Sequence, residues 1–212
     1  MSAIALEQRH ALVDRIVDIV TVVLISLAAF GTAWCSYQSA RWSALQALNY
    51  SKANAARVLA STYAERANSR RIIDIMVFAE YERASDQHEP FASFVRQRFD
   101  APLEYAVTAW DATNPLHNKK APRTPFAMSA YHLPEEDAEH EAAVRADALV
   151  EDAVSANETS DHYVFLTVLF AAASFLGGIA IKLRRPMNLA AASVGVAVFF
   201  VSLAIMLTYP IR

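Results

Sequence analysis

Asp137 and His140 are three residues apart and Glu136 and His140 four, spacings that set a carboxylate and an imidazole on one face of a helix. Carboxylate-bridged metal sites in helical bundles use this pattern, with further ligands supplied by a second helix. His132, Glu65 and Glu80 have the right chemistry to be those ligands, but nothing in the sequence pairs them with His140. Glu135, Glu136 and Asp137 follow Pro134 directly, and a plainer account suits them. They open a helix, where unpaired amides and the positive end of the dipole favour negative charge, and they are expected to be solvated.

Lys119, Lys120 and Arg123 form the next cluster, within a segment interrupted by Pro115, Pro122, Pro125 and Pro134. They suit an anionic headgroup or phosphate, and equally a solvated loop. Arg70 and Arg71 followed by Asp74 read as ordinary helix-surface pairs. The chain contains no Gly-rich phosphate loop, nucleophile elbow, CxxC or HExxH. No catalytic residue, cofactor or metal is therefore expected, and the chain reads as a non-enzyme. Residues 41–160 carry eighteen acidic against thirteen basic residues, which gives nucleic-acid binding no electrostatic support.

The elements around these residues follow from three uncharged blocks: Ile19 to Ala40, Tyr163 to Ile181, and Pro186 to Ile211. Crossing a ~30 Å hydrocarbon layer takes roughly 20 apolar residues of helix, so each block is long enough to span. The first is read as a retained span, because Cys35 follows Trp34 where a lipidated cysteine wants a small residue, and Asp14 and Asp18 spoil a basic signal-peptide start. Trp34, Tyr37, Arg41 and Trp42 then serve as membrane-interface anchors. All four glycines lie inside the apolar blocks, which leaves little turn chemistry for strands. The expected fold is an all-α integral membrane protein with a long helical stalk domain between spans one and two.

The divisions are an N-terminal cytoplasmic segment 1–15, transmembrane helices at 16–40, 161–183 and 187–209, and an extramembrane helical domain 41–160 with a Pro-rich loop at 114–134. Arg9 and Arg15 precede span one, and Lys182, Arg184 and Arg185 fill the short loop after span two. Positive charge in short segments is retained in the cytoplasm, so the N-terminus and that loop are placed there and the long domain in the periplasm of a bacterial inner membrane. Arg41 and Lys52 pull the other way.

No glycine or proline occurs from Thr32 to Glu89, which favours one long helix leaving the bilayer, long enough that a kink or a break along it is expected. Short helices are expected around Pro90 and after Pro102. Ala138, Ala142, Ala146, Leu149, Ala153 and Ala156 recur at heptad spacing, a small-residue seam that suits close approach to the Ala-rich helix after span one. In the Pro-rich loop, Phe126, Met128, Tyr131 and Leu133 either pack onto that helix or present a partner surface.

The segments GTAWCSYQSARWS, ANAARV, RFDAPLEYAVTAWDATNPL, APRTPFAMSAY and SDHYVFLTVLFAAASFLGGIA resemble a group of bacterial three-span membrane proteins with no established activity. That resemblance implies one N-terminal span, a helical domain and a C-terminal pair of spans, and it carries no functional residue with it. Two functions remain in view. One is a self-associating scaffold, with the lipid bilayer, further copies of itself and a protein at the Pro-rich loop as partners. The other is a homo-oligomeric channel or transport subunit, although no ionisable side chain falls in mid-span as a proton- or cation-coupled machine would need.

Overall fold

A computed structural model describes residues 3–87 and 89–212; at 3–12, 14, 87 and 89 it describes the backbone alone. The first two residues of the expected cytoplasmic segment 1–15, and most of that segment's side chains including Arg9, therefore lie outside the described residues. The order is α1 Ala3–Gln87, α2 Glu89–Arg96, α3 Ala101–Asp111, a 3₁₀ turn Pro125–Ala127, α4 Pro134–Ala180 and α5 Met187–Met206. The chain is all-helical, with no strand among the described residues, and α1, α4 and α5 are each long and apolar enough to cross a membrane.

α1 continues for 85 residues, so of the two alternatives the break does not occur. Its length follows from alanine-rich sequence free of proline, and Pro90 falls in the first turn of the next helix, where a missing N–H costs nothing. Asp100 caps α3, its Oδ1 accepting from the Leu103 N–H at 3.1 Å, with Pro102 in the first turn.

The chain divides into two compact units, one formed by residues up to Ser51 together with Val150–Arg212, the other by Lys52–Leu149. In the first, the contacts of α1 with α4 run in opposite chain directions: Gly177 lies by Thr21 and Ile25, Phe170 by Gly31, and Ser160 by Ser39. α5 runs alongside α1, with Gly195 against Leu24 and Pro210 accepting from the Trp42 indole N–H at 3.3 Å. Leu24, Ala28, Cys35, Tyr163, Leu166, Phe170, Ala173 and Phe199 form the core.

Close packing here uses glycine. A Cβ at Gly31 would lie 2.9 Å from the Phe170 ring, whereas one at Gly178 would meet nothing within 4 Å. At one end Ser160 ties α4 to α1, its hydroxyl 3.0 Å from that of Ser39 and 2.9 Å from that of Ser43. Residues after α5 return to the same end: the Arg212 N–H donates to Gln38 Oε1 at 2.9 Å, and the Tyr163 hydroxyl donates to the Pro210 carbonyl at 3.2 Å.

In the second unit, Ala67 of α1, Ala106 of α3, and Tyr131 and Leu133 from the segment before α4 form the core, with Phe126 packed against it. Along α1, Ala53, Ala56, Ala67 and Asp74 are buried on one face.

Candidate functional site

Three ion-paired groups hold the ends of α2, α3 and α4 to α1 in the unit Lys52–Leu149. Arg70 donates from Nε to Asp100 Oδ2 at 2.7 Å and from Nη1 to Glu135 Oε1 at 3.2 Å. Arg71 pairs with Glu136. Arg96 reaches Asp111 at 3.0 Å, Glu104 at 3.2 Å and the Tyr81 hydroxyl at 3.2 Å. Burial works against the charge on Arg96, but the bonds it donates to Tyr81, Glu104 and Asp111 outweigh it and raise its pKa. Asp74 is buried and accepts from the Tyr131 hydroxyl at 2.8 Å. Burial pushes its carboxyl above the usual aspartate range, opposed in part by that hydrogen bond.

These positions correct two expectations. Arg70, Arg71 and Asp74 are not paired with one another at the surface; Arg70 bonds to Asp100 and Glu135, Arg71 to Glu136, and Asp74 to Tyr131, all distant in the chain. Glu135 and Glu136 are not simply solvated, since α1 presents two guanidinium groups to the first turn of α4. Asp137 is exposed and accepts from His132 Nε2 at 2.7 Å, which raises the imidazole pKa. His140 is exposed, and no three His, Cys, Asp or Glu among the described residues are placed to share a metal ion.

In the Pro-rich loop, Phe126 packs edge-on against Phe78 and Tyr131, with ring centroids 5.8 and 5.0 Å away. Trp110 donates from its indole N–H to the Pro122 carbonyl at 2.7 Å. Tyr131 and Leu133 are buried and Met128 half-buried, whereas Leu116, Lys119, Lys120 and Arg123 are exposed. Phe126 and Tyr131 thus occupy the packed alternative of the two foreseen for this loop.

Sequence reasoning overlooked the outer face of α1. Val58, Thr62, Glu65, Ser69, Ile72 and Met76 recur at intervals of four, three, four, three and four, half a turn away from buried Ala67. Val58, Ile73 and Met76 are 61%, 58% and 66% exposed, with Ile72 and Ile75 beside them. The periodic signal was present but diluted by Thr62, Glu65 and Ser69. On the inner side, Ala55, Ala56 and Leu59 face Ala138, Ala142 and Leu149 across a groove of about 400 Å³. That groove also takes in Lys52, Tyr63, Glu141 and Arg145.

Among the interface residues foreseen, Trp34 lies 6.0 Å from Tyr37 between ring centroids, Arg41 is exposed, and the Arg212 guanidinium sits 5.3 Å over the Trp42 ring. Lys182 and Arg184 are exposed and Arg185 half-buried in the turn before α5. Along the same side of α1, Leu27, Phe30 and Trp34 form a groove of about 570 Å³ with Leu203 and Met206 of α5. No family model, curated protein or solved structure matches this chain.

Proposed function

We propose that this chain is a non-enzymatic inner-membrane protein of bacteria that self-associates and acts as a scaffold, through a helical stalk inserted between spans one and two. The observation that carries the reading is the cluster of exposed Ile72, Ile73 and Met76 on α1, outside the apolar blocks long enough to span. An exposed apolar patch of this kind marks an interaction surface more often than a solvated one. A second copy is the favoured occupant, because two copies in one membrane present the same face at the same height, which lowers the cost of association. The basic residues of the short turn before α5 support a cytoplasmic N-terminus and a periplasmic stalk.

The channel alternative has less support. Thr21 and Ser202, the fully buried hydroxyls of α1 and α5, donate to their own helices at Val17 and Val198, both at 2.7 Å, instead of lining a path. The reading is tested by counting chains per particle in lipid nanodiscs by native mass spectrometry. Two or more copies are expected, reduced to one by Ile73→Glu with Met76→Glu at unchanged helicity. A wild-type monomer overturns it, and liposomes that leak ions above empty vesicles favour the channel.

A further inference from the structure

We propose that the groove between α1 and α5 holds one acyl chain of a membrane phospholipid, with the lipid phosphate met by Arg41 and Arg212. Its walls are hydrocarbon and aromatic: Leu27, Phe30 and Trp34 on one side, Leu203 and Met206 on the other, over Phe170. Phe30 and Phe200 stand exposed at the rim, so the groove opens sideways, toward whatever surrounds a membrane-crossing helix. Within a bilayer those surroundings are lipid chains.

The spacing on α1 supplies the polar end. Leu27, Phe30, Trp34, Tyr37 and Arg41 recur at three, four, three and four residues and so share one face. Leu27 to Arg41 spans about 21 Å of helix, enough to reach from mid-core past the edge of a ~30 Å hydrocarbon layer. At that end Arg41 is exposed, and the Arg212 guanidinium is held over Trp42 by the returning tail. Two cations beside an aromatic pair complement a phosphate.

A helix from a second copy suits the groove less well. Helices approach closely in membranes over small residues, yet Gly31, Gly177 and Gly195 already face Phe170, Ile25 and Leu24 within the unit. Phe30, Phe200 and Trp34 on the rim would hold a second helix away.

The test is native mass spectrometry of the full chain released from nanodiscs, titrated with dioleoylphosphatidylglycerol and, as a phosphate-free control, dioleoylglycerol. One phospholipid per chain is expected to survive release, with dioleoylglycerol retained at least fivefold less. Leu203→Trp fills the groove from α5 and Leu27→Trp from the exposed side of α1; either is expected to cut retention at least fivefold with helicity unchanged. Arg41→Ala combined with Arg212→Ala is expected to erase the preference over dioleoylglycerol. Equal retention by both tryptophan variants overturns the proposal, as does equal retention of the two lipids by the wild type. So does a Leu27→Trp variant that separates oligomers into single chains while keeping its lipid, because a neighbouring helix then fills the groove. Lipids per chain and chains per particle are read from the same spectrum, so this proposal and the scaffold reading fail separately.

Discussion

Asp74 shows how burial and hydrogen bonding set the character of a single position. Its carboxyl lies on the buried face of α1, opposite the outer apolar row, and has the Tyr131 hydroxyl as donor. Asp74→Asn keeps an acceptor for that hydroxyl and removes a buried charge, so thermal stability at pH 7 is expected to hold or rise. Asp74→Ala strands the hydroxyl, and a loss of about 1–3 kcal/mol is expected from chemical denaturation. The pH dependence has a definite sign. An acid whose folded pKa is raised binds its proton more tightly when folded, so its contribution to stability grows as pH falls from the folded pKa toward the unfolded value near 4. His132, also raised, contributes fully below about 6.5, and that contribution is lost as pH rises through its folded pKa. Both make stability fall with rising pH, each in its own range. Melting temperatures measured across pH should lose the acidic part of the slope in Asp74→Asn and the near-neutral part in His132→Gln.

Arg70 and Arg83 contrast two kinds of ion pair on one helix. Arg83 meets Glu80 one turn away at the surface, and Arg83→Ala is expected to cost less than 0.5 kcal/mol or so. Arg70→Ala leaves two half-buried carboxylates unpaired, Asp100 and Glu135, and a loss of about 1–3 kcal/mol is expected after allowing for their partial exposure. Equal losses for the two variants would refute the difference in role.

Among the helices, glycine decides where backbones come close. Gly31→Ala drives a methyl into the Phe170 ring and is expected to destabilise the packing of α1 on α4, whereas Gly178→Ala is expected to be neutral or slightly stabilising. Melting of the two variants in one detergent makes the comparison. That the apolar blocks form helices was legible because composition alone carries the signal: twenty uncharged residues have few other uses. The start of α3 was legible too, from Pro102. The partners of Arg70, Arg71 and Asp74 were not, because local spacing reports only neighbours on the same helix. Those residues meet Asp100, Tyr131, Glu135 and Glu136, between thirty and sixty-five positions away. The return of the tail to Gln38 and Trp42 was hidden for the same reason, being a contact across about 170 residues between groups that have no sequence signature.

For the molecule in its membrane, two apolar surfaces have different expected occupants. The outer cluster of α1 at Ile72, Ile73 and Met76 is assigned to another copy, and the α1–α5 groove to a lipid chain. A pair of charge substitutions on α1 should change the number of chains per particle without changing the lipid count. Filling the groove should do the reverse. Observing both changes together in either variant would mean that the two surfaces are coupled through association and that the assignments need revision.

Cys35 is fully enclosed by the core of its unit and is the chain's lone cysteine. Thiol reagents applied to the intact protein should therefore find almost no background. A cysteine introduced at exposed Ser61 or at exposed Lys182 then becomes a reporter in an otherwise native chain, with no need to remove Cys35 and disturb the packing around it. Labelled from one side of sealed vesicles with a membrane-impermeant maleimide, the pair would reveal which compartment holds the unit Lys52–Leu149 and which holds the turn before α5.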